Sequence, residues 1–257
     1  MINSGLVSIS FRQLTVEQII ELVKKSGLDG IEWGGDKHVP HGDVQRAKQV
    51  RQLTEEAGLK VAAYGSYYKI GVSEGEGLSF SMVLDSAVAL GAPKIRVWAG
   101  KKNSEDASPQ DWDLIVKESR WIGDMAAAKG IKIVYEFHGG TLTNTAASCK
   151  KLLETVAHSN VMTYWQPTLG VKCADNAAGL KSVLPWVQGT HVFHWWPDHL
   201  TRFALSEGEA DWSCYFEVLK SSKRDMFAMM EFVKDDNPEN FAPDAATLKK
   251  LLAKVNS

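Results

Sequence analysis

The sequence predicts an α/β chain folded as a single (β/α)8 TIM barrel, with residues 1–257 forming one domain. Three observations carry this expectation. A phrase of amphipathic helix, glycine and short apolar strand recurs along the first half, and strands and helices go on alternating in the second. Two strand-like runs each end in glutamate followed by phenylalanine, at Glu136-Phe137 and Glu231-Phe232. The chain has 257 residues, close to the roughly 250 that eight such units need. An open, doubly wound sheet is the alternative built from the same units.

The elements follow in order. An initial strand is expected at 5–10. Thr15, ahead of Val16-Glu17-Gln18, then reads as a helix N-cap. Lys24-Lys25-Ser26-Gly27 closes that helix before the strand Leu28-Asp29-Gly30-Ile31-Glu32-Trp33. The phrase returns at Gly58 before Leu59–Tyr64, at Gly91 before Ala92–Trp98, and at Gly130 before the run ending in Glu136. Glycine suits the left-handed residue that stops a helix, so each copy marks a helix end followed by a buried strand. Repeated helix–glycine–strand units imply parallel strands joined by right-handed crossovers. Ser108-Pro109 marks another helix start. Later strands are expected at 161–165, 189–195 and 226–231, and later helices at 144–157, 175–184, 211–221 and 243–255.

Composition narrows the function. With 29 basic against 31 acidic side chains and no basic block, there is no electrostatic case for nucleic acid or an anionic membrane. No run is long and apolar enough to span a bilayer, and no signal peptide is readable. Three cysteines (Cys149, Cys173, Cys214) without metal-type spacing suit a reduced, cytoplasmic setting. A glycine-rich phosphate loop with lysine, a G-x-S-x-G elbow and paired C-x-x-C motifs are all absent.

In such a barrel, function sits where strands end. Glu136, Gln166, His191 and Glu231 stand at four successive strand ends and offer two carboxylates, an amide oxygen and an imidazole. That donor set suits one divalent cation (Mn, Mg, Co or Zn). In Gly189–Trp196, strand alternation points His191 and His194 opposite ways, so only one is a direct ligand. His191, deeper in the strand, is preferred, with His194 the alternative. An acid at the end of an apolar strand is costly unless compensated, which favours a shared site over two isolated glutamates. Polar and aromatic groups alternating around the rim suit a sugar. Trp33, Tyr64, Trp98, His38, His138, His194 and Arg202 are the candidates for substrate contact, with Arg12, Arg96 and Lys69 as weaker cationic alternatives to Arg202.

The chain resembles the sugar-phosphate isomerase/epimerase family, the xylose-isomerase-like TIM barrels. The resemblance runs over essentially the whole length and is carried by Gly30-Ile31-Glu32-Trp33-Gly34-Gly35-Asp36, Ile95-Arg96-Val97-Trp98-Ala99-Gly100, Tyr164-Trp165-Gln166-Pro167, His191-Val192-Phe193-His194-Trp195 and Met230-Glu231-Phe232. It implies one divalent metal held by Glu136, Gln166, His191 and Glu231, a small-molecule sugar as substrate, and a homo-oligomer. Gln166 departs from the family's aspartate; the neutral amide removes one negative charge, so metal affinity should fall.

The leading expectation is a metal-dependent sugar isomerase or epimerase. Glu136 and Glu231 would be its acid and base, moving a proton beside a carbonyl through an enediolate. A lyase or dehydratase acting on a keto-sugar or inositol derivative uses the same parts, and an inert sugar-binding barrel is the non-enzymatic alternative.

Overall fold

The computed structural model describes residues 1–257. Eight strands alternate with eight helices: β1 (Ile2–Val7), α1 (Val16–Ser26), β2 (Gly30–Gly34), α2 (Val44–Glu56), β3 (Lys60–Lys69), α3 (Phe80–Leu90), β4 (Lys94–Trp98), α4 (Pro109–Ala127), β5 (Lys132–Tyr135), α5 (Ala146–Val156), β6 (Val161–Trp165), α6 (Cys173–Val183), β7 (Val187–Val192), α7 (Glu209–Lys220), β8 (Met226–Met230) and α8 (Phe241–Asn256). All neighbouring strands pair in parallel and the sheet closes, β1 pairing with both β2 and β8. This is the (β/α)8 barrel, not the open sheet.

Local chemistry sets the boundaries. Thr15 accepts a hydrogen bond from the Gln18 N–H and Gln18 reaches back to the Thr15 N–H, a complete capping box. Ser108 and Asp111 do the same for α4, with proline at its first position. The repeated glycines Gly27, Gly58, Gly91 and Gly130 take φ of 65°, 78°, 70° and 69°, a conformation that penalises any residue with a Cβ. Helices thus stop where the next strand must begin.

Two expected boundaries shift. The first strand runs Ile2–Val7, not 5–10, because Ser8–Phe11 turns into a short 3-10 segment. The seventh begins at Val187 and ends at Val192, so His194 lies beyond it.

One large apolar core fills the space between sheet and helices. Two smaller clusters are separate from it: Val7, Ile9, Ala62 and Met229, and Ala63, Val134 and Tyr164. They pack the inside of the barrel. Close approach there requires glycine: a Cβ on Gly30 would stand 2.7 Å from the Lys60 carbonyl oxygen and 2.9 Å from the Phe227 ring. No helix is long and apolar enough to cross a membrane.

Gly30→Ala should therefore destabilise the barrel by about 1–3 kcal/mol, since backbone cannot yield to the added methyl. Urea unfolding would measure it; an unchanged midpoint would show that the interior has slack at this level.

Candidate active site

Strand alternation delivers the site residues. On β5, the positions at 132, 134 and 136 share a face, and Glu136 emerges just past the strand's end. Gln166 and Glu231 follow β6 and β8 in the same way, and His191 sits inside β7. These four side chains converge at the carboxyl ends of their strands and are all buried.

Beneath them lies an ion-pair chain across the barrel. The Arg96 guanidinium donates through Nε to Glu32 Oε1 (2.6 Å) and through Nη1 to Glu136 Oε2. Arg96 and Glu32 are 1% and 0% exposed, so neither charge is relieved by solvent. The Trp98 indole N–H donates to the same Glu136 oxygen, and the Tyr67 ring covers the guanidinium at 4.8 Å. Tyr67 reaches over it because β3 is irregular between Gly65 and Tyr68 and Tyr67 itself takes φ of 55°. Gly65 leaves the pair its space: a Cβ there would lie 2.7 Å from Arg96 Nη2 and 2.8 Å from Glu32 Oε1.

His191 occupies the centre. Its Nδ1 is 3.0 Å from Gln166 Oε1, 3.4 Å from Glu231 Oε2 and 3.7 Å from Glu136 Oε1. Its Nε2 faces Glu32 Oε2 at 3.6 Å, and neither atom has another partner. That is too long for a direct hydrogen bond, so the contact is one of charge. Burial pushes the Glu32 carboxyl up, but Arg96 and His191 together outweigh it and bring the pKa to about 2. Burial pushes the His191 imidazolium down, but Glu231 and then Glu32 outweigh that and raise it to about 10. Glu231 is also lowered, burial being overcome by His191 and Arg96. At the floor, the Lys94 ammonium donates to the Gln188 carbonyl (2.9 Å), and burial lowers it to about 8 against the pull of Glu32.

Glu136, His191 and Glu231 present ligand atoms within 4.8 Å of one another, a spacing that can hold a metal ion. The donor chemistry fits a divalent cation. Glu136 keeps Oε1 free while Arg96 and Trp98 take Oε2. Three carboxylates against one guanidinium leave two negative charges once His191 is neutral. Gln166 Oε1 sits on the same side of the imidazole as the two carboxylates.

The remaining candidates divide. His138 stacks on Trp98 at 4.7 Å between centroids, and Arg202 lies over the Trp195 and Phe232 rings. His138 and Arg202 line a cavity of about 650 Å³ at the barrel mouth, together with Phe137, Gln166, Phe193 and Phe232. Trp33, Tyr64 and His38, expected at the pocket, do not reach it. Since Glu32 and Gly65 point inward, their neighbours Trp33 and Tyr64 point to the helix layer. There the Trp33 indole donates to Thr54 (3.1 Å) and the Tyr64 hydroxyl to the Val39 carbonyl (2.9 Å). His38 accepts from the Ser8 hydroxyl (2.9 Å) and donates to the Leu14 carbonyl (3.1 Å), leaving no nitrogen for a ligand. His194 borders a second cavity, of about 470 Å³, behind the Phe193–Trp195 stack, where its ring packs on Phe203 and the Gly208 backbone. It is not brought to the carboxylates. The central roles of Glu32 and Arg96 were missed; the available signal was two charged residues in strand interiors, at Ile31-Glu32-Trp33 and Ile95-Arg96-Val97.

The sequence pattern of the xylose isomerase-like TIM barrel family matches residues 20–251, and the chain belongs to that family. Among individual proteins, a 3-dehydroshikimate dehydratase of Bacillus anthracis is 25% identical over 204 residues, 73% of this chain and 70% of that protein. The crystal structure of the probable 3-DHS dehydratase AsbF of Bacillus anthracis, involved in petrobactin synthesis, superposes with a TM-score of 0.81 at 22% identity, covering 97% of this chain and 99% of the other. L-ribulose 3-epimerase gives 0.78 at 15% identity, over 100% and 96% of the two chains.

Two outcomes are expected. Arg96→Met should cost about 3–5 kcal/mol by leaving Glu32 and Glu136 buried without their cation; chemical denaturation that detects no loss would remove the pair from the stability account. In the metal-free protein the raised His191 contributes stability below its unfolded value near 6.5, which is lost as pH climbs through about 10. A cation bound through His191 would have to displace that proton, so apparent metal affinity should rise about tenfold per pH unit between pH 7 and 9. Calorimetric titration with Mg²⁺ or Mn²⁺ in buffers of different ionisation enthalpy reads the released proton, and a pH-independent affinity would contradict it.

Proposed function

We propose that this protein is a divalent-cation-dependent lyase. It removes a proton beside a carbonyl of a keto-polyol and expels the hydroxyl on the next carbon as water. The observation that carries this reading is the unequal bonding of the two carboxylates. Glu136 shares one oxygen with the Arg96 guanidinium and the Trp98 indole, which fix its orientation and occupy that oxygen. Glu231 has no guanidinium or indole bonded to it: the imidazole lies 3.4 Å away and Arg96 acts on it only at a distance. One free base suits elimination, whereas epimerisation needs two groups that exchange protons with similar ease. The 25%-identical dehydratase supports the same choice.

Glu136, Gln166, His191 and Glu231 would hold the cation, which supplies charge stabilisation where the carbonyl oxygen becomes negative. Glu231 takes the proton from the carbon. The C–O bond to the neighbouring hydroxyl then breaks as the C=C bond forms. Glu231 returns its proton to the departing hydroxide, giving water and a conjugated unsaturated ketone. Arg96 holds Glu136 in place throughout, and the rings of Phe137, Phe193 and Phe232 exclude water from the cavity. His138 and Arg202 orient the substrate from above.

Isomerisation or epimerisation, the leading expectation from sequence, uses the same centre and would require Glu136 to act as second base. The fold likeness to an epimerase does not separate the two chemistries.

The test is a panel of cyclic and open-chain keto-polyols with added Mg²⁺ or Mn²⁺. Ultraviolet absorbance should reveal an unsaturated product, and Glu231→Gln should lower kcat by about 10²–10⁴-fold. Solvent deuterium entering the substrate carbon without any absorbing product would establish the epimerase instead. Full activity of Glu231→Gln would exclude the assigned base.

A further inference from the structure

Behind the Phe193–Trp195 stack lies the second cavity, of about 470 Å³, a size typical of small-molecule sites. It opens between the β6–α6 and β7–α7 loops and the first turns of α6 and α7. None of Glu136, His191 and Glu231 lines it, and Phe193 and Trp195 border both this cavity and the one at the barrel mouth. It is therefore a compartment of its own, one layer of side chains away from the candidate active site.

Its walls are aromatic: Phe193, Trp195, Trp196, Phe203, Trp212 and Tyr215 all line it. The negative faces of such rings accept the body of an organic cation as well as a hydrocarbon. Trp195 already takes a cation in this way, with the Arg202 guanidinium 5.2 Å from its centroid.

Two polar groups make the cavity more than an apolar gap. Tyr215 is 3% exposed, yet its hydroxyl completes no hydrogen bond within the protein, an arrangement that is costly unless a ligand or water supplies the partner. Beside it stand the Cys173 thiol and the Asp211 carboxylate. Asn176 is near as well, but its amide is committed: the oxygen accepts from the Thr168 N–H, and the amino group donates to the Thr168 and Val171 carbonyls. Asp211 is half-buried on the first turn of α7, and no basic side chain pairs with it. Lys172, the one lysine or arginine on the lining, is exposed at its edge, and Glu207 adds a second carboxylate. A carboxylate partly withdrawn from water and left without a counter-charge favours a cation. A bare metal ion would find too few oxygen ligands in one carboxylate and one hydroxyl, and it would leave the rings uncovered. A cation carrying an apolar body satisfies both parts of the cavity.

We propose that this second cavity is a binding site for a small organic ammonium compound, with its charged nitrogen held by Asp211 and the Tyr215 hydroxyl and its apolar body between the aromatic walls.

Calorimetric titration of the full-length protein tests it, comparing 2-phenylethylammonium with its neutral isostere 2-phenylethanol. The ammonium compound should bind about 10-fold or more tightly than the alcohol, the least expected of hydrogen bonds to a charged group. Asp211→Asn should bring its affinity down to that of the alcohol and leave the alcohol's unchanged. Tyr215→Phe keeps the ring and removes the hydroxyl, and should weaken the ammonium compound by about 3–10-fold; where Asp211→Asn fails to fold, this variant decides alone. Glu231→Gln should have no effect, since the carboxylates of the barrel centre do not line the cavity. Equal binding of the two compounds, or of neither, overturns the proposal. So does an ammonium affinity that is indifferent to both Asp211→Asn and Tyr215→Phe, or one that falls with Glu231→Gln, which would place the cation at the barrel centre instead.

Discussion

The structure depends on a cation placed where a barrel ordinarily keeps aliphatic side chains. Arg96, on β4, joins Glu32 from β2 to Glu136 from the end of β5. Removing such charges from water is expensive, and the cost is met only because the geometry supplies partners on both sides and an aromatic cover. Everything above the pair inherits its position from it. Glu136 is fixed by the guanidinium, His191 faces Glu32 through one nitrogen, and its other nitrogen is thereby turned to Glu136, Gln166 and Glu231. The interior is thus a layered charge system: a lysine at the floor, an arginine between two glutamates above it, and an electron-rich donor set at the top.

This arrangement explains how two chemically identical carboxylates come to differ. Glu136 and Glu231 leave the ends of β5 and β8 on the same rim, yet one shares an oxygen with a guanidinium and an indole and the other does not. Environment, not residue type, makes the two carboxylates inequivalent. The aromatic residues extend the division upward. Trp98 holds Glu136 and stacks on His138, while Phe232 follows Glu231 and supports Arg202. Each carboxylate is thereby connected to its own part of the wall.

Much of the fold was legible in the sequence because the glycines that stop helices are local signals. Gly27, Gly58, Gly91 and Gly130 need no partner to declare their backbone state. The convergence of Glu136, Gln166, His191 and Glu231 was legible for a related reason: each stands at or near the end of an apolar run, and the barrel brings all such ends to one face. The Glu32–Arg96 pair was not, because its partnership depends on strand register, including the irregularities in β3 that move Tyr67 over the guanidinium. Nor could the sequence show which way Trp33, Tyr64 and His38 turn. Their orientation follows from Glu32 and Gly65 facing inward, which only the closed sheet reveals. His194 illustrates a boundary effect: alternation set it opposite His191, but the strand ended first and the loop carried it behind the Phe193–Trp195 stack.

The ring closure of the sheet also has a bearing on how the molecule is made. The four prospective ligands arrive on β5 to β8, and the ion pair beneath them comes from β2 and β4, so no contiguous half of the chain holds a working centre. Of these residues Glu231 is the last to leave the ribosome. A nascent polypeptide accordingly lacks a full donor set until β8 has emerged, and β8 has then only to dock between β7 and β1. Chemical competence and topological completion thus coincide in time.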